Sequence, residues 1–154
     1  MKTALSRVLI VGRMNVGKST LFNRLSEDVK SLAFDYEGVT RDFLKDTISW
    51  QGKSFELIDT GGISIRRSRD SIAEQARQVV FTLLESTDIL LFVVDGKAGV
   101  LSEDQELASM VRKLNKTVIL VINKIDTKIA QSQQYEFEQL GFVQSVTISA
   151  QHGS

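Results

Sequence analysis

The sequence predicts an α/β fold: a doubly wound, mostly parallel sheet with one antiparallel edge strand and flanking helices. Three observations carry that prediction. Short apolar runs alternate with longer segments of helical spacing. Two of the runs, Ile89–Val94 and Val118–Ile122, are apolar at every position, the pattern of central parallel strands covered on both faces. One segment, Asp42–Trp50, alternates instead and reads as an edge strand.

Each element follows in order. Arg7–Val11 is the first strand, and a helix opens near Lys18 after a glycine-bearing turn. Asp42–Trp50 puts Phe43, Lys45, Thr47 and Ser49 on one side and Leu44, Asp46, Ile48 and Trp50 on the other. Gln51-Gly52 then reads as a turn joining it to Phe55–Ile58 in a hairpin. Ser71–Glu85 sets Ile72, Ala76, Val79, Val80 and Leu83 on one helical face. Ser102–Leu114 does the same with Leu107, Met110, Val111 and Leu114, and Ser102 with Gln105 reads as a capping box. Val143–Ile148 is the last strand. Glu27–Arg41 and Ile63–Asp70 lack periodicity and read as long functional loops.

Composition bounds the function. The 154 residues are 42% hydrophobic and 25% charged, enough apolar material for one domain with a real core. Lys plus Arg number 19, as do Asp plus Glu, so nothing favours indiscriminate binding to nucleic acid or to an anionic membrane. Neither DNA nor a membrane is expected as a partner. The absence of cysteine excludes disulfides, thiolate metal sites and a cysteine nucleophile, and it fits a cytoplasmic protein. The one histidine, His152, cannot build a multi-histidine metal site. No apolar run approaches the roughly 20 residues that span a bilayer.

The segment from Gly12 to Ser19, G-R-M-N-V-G-K-S, matches the phosphate-loop pattern between a strand and a helix. Its glycines let backbone N–H groups of Asn15, Val16, Gly17, Lys18, Ser19 and Thr20 surround a phosphate at the positive end of the helix. Lys18 reaches the β- and γ-phosphates of a nucleoside triphosphate, and the Ser19 hydroxyl is a ligand for Mg²⁺. Asn123-Lys124-Ile125-Asp126 follows directly on an apolar strand, where open α/β sheets bind ligands. The Asp126 carboxylate can accept two hydrogen bonds from guanine, at N1–H and the 2-amino group. Adenine offers neither, and an unpaired buried carboxylate is costly, so an ATPase or kinase reading is disfavoured. Lys124 can lie over the base, and Asn123 can tie this loop to the phosphate loop. Backbone N–H groups of Ser149-Ala150-Gln151 can meet the guanine carbonyl oxygen.

Asp59-Thr60-Gly61-Gly62 ends another strand. Asp59 at the strand end is suited to hold Mg²⁺ through a bridging water, and the Gly62 N–H can reach the γ-phosphate. Thr40, in Gly38-Val39-Thr40-Arg41-Asp42, is the candidate second hydroxyl on Mg²⁺, ordered by the γ-phosphate.

These motifs, in this order, are those of translational-type GTPases. G-R-x-N-V-G-K-S-T-L-F-N-R-L at Gly12–Leu25, G-V-T-R-D at Gly38–Asp42, D-T-G-G-I at Asp59–Ile63 and S-A-Q-H-G at Ser149–Gly153 resemble the EngA (Der) family of bacterial ribosome-assembly GTPases, and its first GTPase domain in particular. The resemblance implies a Ras-like GTPase domain over residues 1–154, stopping where the family begins its last helix, without that family's second GTPase domain and KH-like domain. It implies GTP hydrolysis to GDP coupled to maturation of the large ribosomal subunit, with the ribosome or its RNA as partner of the full-length protein. Met14 and Tyr36-Glu37 stand where the family has proline, which removes a stiffening φ constraint from both loops.

The residue after Gly62 is Ile63, which cannot orient a water as glutamine does in Ras-type enzymes. Intrinsic turnover is therefore expected to be slow and to rest on positioning and charge from Lys18, Thr40 and Gly62. Families with this replacement often use K⁺, and Asn15 is the matching candidate for holding it. A GTP/GDP-sensing binding module with negligible hydrolysis in isolation is the alternative. The basic cluster Arg66-Arg67-Ser68-Arg69 reads as a solvated face, with contact to ribosomal RNA as the functional alternative.

Overall fold

The structure, a computed structural model, describes residues 5–13, 15–26, 30–36, 39–60, 81–124 and 134–149. Seven strands form one sheet. In chain order they are β1 (Ser6–Val11), β2 (Lys30–Tyr36), β3 (Val39–Trp50), β4 (Lys53–Asp59), β5 (Ile89–Asp95), β6 (Thr117–Asn123) and β7 (Gln144–Thr147). Their spatial order is β2-β3-β4-β1-β5-β6-β7. Only β3 runs against its neighbours: it pairs antiparallel with β2 and β4, while every other pairing is parallel. Helix α1 (Lys18–Leu25) follows β1, and α2 (Ser102–Arg112) follows β5. Residues 81–85 are helical and a short 3₁₀ helix spans Gln134–Leu140.

The alternation in Asp42–Trp50 identified the antiparallel strand, but that strand is not the edge. β2 lies outside it, paired from Lys30↔Lys45 to Tyr36↔Val39. The segment read as a loop over Glu27–Arg41 thus contains β2 and the start of β3. K-S-L-A-F-D-Y carries no clean alternation, so pairing with β3 decides its conformation. The turn into β4 is as expected. Gln51 and Gly52 both have positive φ, 50° and 78°, between the paired Trp50 and Lys53. Two positive φ values give the strand twist a two-residue hairpin needs.

Strand parity divides the core into two layers. Leu9, Val11, Leu90, Phe92, Val94, Leu120 and Ile122 face Leu83, Leu84 and the apolar side of α2. Val8, Ile10, Leu57, Val93 and Val121 face the α1 side with Leu21 and Phe22. Fully burying such a side chain contributes about 1.5–3 kcal/mol, which makes β1 and β5, buried on both faces, the backbone of the domain. Leu107, Ala108 and Val111 of α2 are buried, with Leu114 packed against the same cluster. Most of the other predicted helix, residues 71–80, lies outside the described residues.

Two polar contacts set the ends of helices. Asp46, buried in β3, accepts the Ser26 hydroxyl at 2.7 Å and so anchors the end of α1. At α2 the expected Ser102–Gln105 box is replaced by its neighbour: Leu101 is the N-cap, and the Asp104 carboxylate accepts its N–H at 3.0 Å. The shorter aspartate at N3 reaches back, and Ser102 is already helical.

Candidate nucleotide-binding site

β1, β4, β5 and β6 deliver Val11, Asp59, Asp95 and Asn123 to the same carboxyl edge of the sheet, with Ile10↔Asp59, Val11↔Phe92 and Asp95↔Asn123 in register. The loop from Gly12 to Gly17 sits over this edge. Both glycines are required sterically. Gly12 has φ 153°, and a Cβ there would come within 2.5 Å of the Val93 carbonyl oxygen. Gly17 caps α1 at φ 99°, and a Cβ there would collide with the Asn123 amide. The first turn of α1 carries no acidic residue, so its free N–H groups and positive dipole end stay available to an anion.

Lys18 is buried, and its ammonium donates to the carbonyls of Gly12 at 2.9 Å and Arg13 at 2.7 Å. Burial lowers its pKa from the ordinary lysine value. The Arg13 guanidinium lowers it further, while Asp59 and Glu103 oppose both. A buried cation under a helix N-terminus is an arrangement completed by a polyanion. Beside it, the Ser19 hydroxyl donates to Asp59 Oδ2 at 3.3 Å. These two hard oxygens, one exposed and one buried, fit a small divalent cation. Thr60, next along, is fastened by its own hydroxyl to the Ile10 carbonyl at 2.9 Å.

The loop after β6 is tied to the phosphate loop. Asn123 Nδ2 donates to the Val16 carbonyl at 3.0 Å within the buried interior. Lys124, at φ 63°, donates to the Asn15 carbonyl and to Asp95 Oδ2, each at 3.0 Å. Its ammonium therefore bridges two loops. Asp95 was not foreseen. Its other oxygen accepts the Lys97 and Ala98 N–H groups at 2.8 and 3.2 Å, closing the turn after β5. Burial raises this carboxyl, but Lys124 and the two N–H groups outweigh it and hold the pKa below the ordinary value. An aspartate followed by Gly-Lys-Ala-Gly was a readable turn signal, although its partner on β6 was not.

The remaining candidates are distributed as follows. Asn15 is exposed at φ 66°, Val16 is buried, and Thr20 is exposed in the first turn of α1. Ser149 is buried just beyond β7, where the Ile148 N–H donates to the Ile122 carbonyl at 2.9 Å. Thr40 belongs to β3 rather than to a loop, with Asp35 opposite it. Because Leu44 pairs with Asp59, the last residue of β4, the backbone at Thr40 lies on the part of β3 that overshoots β4 toward the carboxyl edge. Gly62, Asp126, Ala150 and Gln151 lie outside the described residues, as do Met14, Glu37, Ile63 and the cluster from Arg66 to Arg69.

Comparison with known proteins agrees with this geometry. Residues 7–124 match the family described as 50S ribosome-binding GTPase. GTPase Der of Thermosipho melanesiensis is 47% identical over 150 residues, covering 97% of this chain and 34% of that protein. The chain thus spans about a third of the length of the curated relatives it matches. Among solved structures, a variant of Aquifex aeolicus Era bound to GDP and AlF4⁻ superposes with a TM-score of 0.78 at 30% identity, covering 99% of this chain and 53% of that one. Era in complex with MgGDPNP and a 16S ribosomal RNA segment gives 0.79 at 30% identity, with the same coverage. A phosphate loop of this shape, on this sheet order and with this sequence likeness to Der, has one explanation: the chain belongs to the 50S ribosome-binding GTPase family.

Proposed function

We propose that the chain binds guanine nucleotide and hydrolyses GTP to GDP and phosphate, as a nucleotide-dependent switch in assembly of the large ribosomal subunit. The observation that carries the reading is the Asn123–Val16 hydrogen bond, which joins the N-K-x-D loop to the phosphate loop and so couples a base site to a phosphate site. In this reading the N–H groups from Asn15 to Thr20 bind the phosphates, and the Lys18 ammonium takes the β- and γ-oxygens. Asp126 reads guanine, with Ser149, Ala150 and Gln151 at its carbonyl oxygen, and Lys124 flanks the base.

Ser19, Asp59 and Thr40 would hold Mg²⁺. What Mg²⁺ supplies when bound is positive charge against the β- and γ-phosphates. Asn15 would hold K⁺, whose charge would serve where other GTPases use an arginine. The chain's own contribution is orientation: Lys18 and the Gly62 N–H fix the γ-phosphate in a charge-stabilising cradle. Era, a structural neighbour, has been seen with MgGDPNP and 16S ribosomal RNA, which supports a metal–nucleotide ligand and a ribosomal setting. We place the chain in the cytoplasm on that reading.

Ile63 favours a second reading, a GTP/GDP-sensing module with negligible hydrolysis alone, because its side chain offers no hydrogen bond to water. GTP turnover by the purified chain with Mg²⁺, in K⁺ and in Na⁺ at equal ionic strength, separates the two. Turnover accelerated by K⁺ supports the enzyme and the role of Asn15. Equal rates refute the K⁺ site, and tight GTP binding without turnover in either salt supports the sensing module. Displacement of labelled GDP by ATP as readily as by GTP would overturn guanine recognition.

A further inference from the structure

Two charged side chains beside the phosphate loop have no part in the reading above. Asp104 is fully buried, which is rare for a carboxylate. It occupies the first turn of α2, where the helix dipole favours negative charge. One oxygen accepts the Leu101 N–H, and the other lies 3.2 Å from Arg13 Nε as an ion pair without hydrogen-bond alignment. Arg13 is the second residue of the phosphate loop, and its side chain is only 12% exposed. Its backbone carbonyl is also the nearer of the two acceptors of the Lys18 ammonium, at 2.7 Å. One residue is thus gripped by its side chain from α2 and grips the triphosphate-binding cation with its backbone.

We propose that Arg13 and Asp104 are positioning residues for the triphosphate: their ion pair fixes the outer limb of the phosphate loop and, through the Arg13 carbonyl, aims the Lys18 ammonium at the γ-phosphate. The inference rests on the nucleotide reading above. A buried carboxylate is costly unless paired, so the link is either made or strongly disfavoured and does not loosen gradually. In the proposed reading the α- and β-phosphates also meet the N–H groups from Asn15 to Thr20, whereas the γ-phosphate depends more heavily on the Lys18 ammonium. Losing the link should therefore weaken GTP recognition more than GDP recognition.

The test is Asp104→Asn in the 154-residue chain, with affinities for GDP and for a non-hydrolysable GTP analogue measured alongside thermal stability. The ratio of analogue to GDP affinity is expected to fall on the order of tenfold, with GDP affinity falling less than analogue affinity. Arg13→Lys keeps the charge without the planar fork and should recover part of the ratio. The double variant Arg13→Leu with Asp104→Leu removes the link without leaving a buried charge unpaired, guards against a single variant that does not fold, and should show the same loss. An unchanged ratio in a folded variant overturns the proposal. So does an equal loss for both nucleotides that tracks the fall in melting temperature. A parent chain with no affinity for GTP overturns the nucleotide reading and this inference with it, whereas a binding parent and an unaltered variant overturn this inference alone.

Discussion

The two flanks of the phosphate loop are built differently. On the β6 side, Asn123 and Lys124 make three hydrogen bonds of 3.0 Å to Val16, Asn15 and Asp95, and the Gly96 N–H adds a fourth at 2.7 Å to the Asn123 carbonyl. On the β4 side, the Ser19 hydroxyl donates to Asp59 at 3.3 Å, and the Thr60 hydroxyl donates to the Ile10 carbonyl at 2.9 Å. The flank proposed to hold the base is fastened by protein contacts already in place. The flank proposed to hold the metal brings two hard oxygens together, Ser19 Oγ and Asp59 Oδ2. In the proposed reading, preformed contacts give binding, and contacts that need the ligand give a response to it.

Four substitutions test the contrast between the flanks. Gly17→Ala attacks the point both flanks share, since it forces a Cβ at positive φ into the Asn123 amide, and nucleotide affinity should fall on the order of a hundredfold. Titration with fluorescent GDP reads this directly. Asn123→Ala removes a tie on the β6 flank and takes the Nδ2 donor away from the buried Val16 carbonyl. A loss of about 1–3 kcal/mol in urea unfolding is expected even without nucleotide.

Ser19→Ala should do the reverse. Its apo stability should stay within about 0.5 kcal/mol of the parent, as for a surface change. The gain in GDP affinity on adding Mg²⁺ should disappear, and a variant that keeps this gain removes Ser19 from the metal site. The smallest effect is at Asp95. Its pKa is lowered on folding, so its pairing stabilises the fold above the ordinary value of 3.8 and that stabilisation is lost as pH falls through the folded value. Asp95→Asn should cost under about 1 kcal/mol at neutral pH, and the gap to the parent should close in acid.

Much of this was legible in the chain itself, for a physical reason. A phosphate loop is contiguous, and so is the strand before it, so Gly12–Ser19 carries its whole message locally. The buried strands Ile89–Val94 and Val118–Ile122 announce themselves because both faces are covered, and the structure extends each by only a residue or so. β2 was not legible, because its residues follow no period and its conformation comes from β3. The Arg13–Asp104 and Lys124–Asp95 links were not legible either. Each joins residues that are remote in sequence, and no spacing rule connects a loop residue to a helix cap or to the end of another strand.

The sheet order also dictates when the domain can assemble. β1 comes before the other described strands in the chain, yet its two neighbours are β4 and β5, and the intervening β2–β3–β4 meander closes by local pairings without it. Local contacts form quickly, whereas parallel pairings across long chain separations are slow. An emerging chain therefore carries an apolar first strand that waits for β5, and a phosphate loop that gains its last tie only after Asn123 has been made. The phosphate loop is therefore completed late in folding.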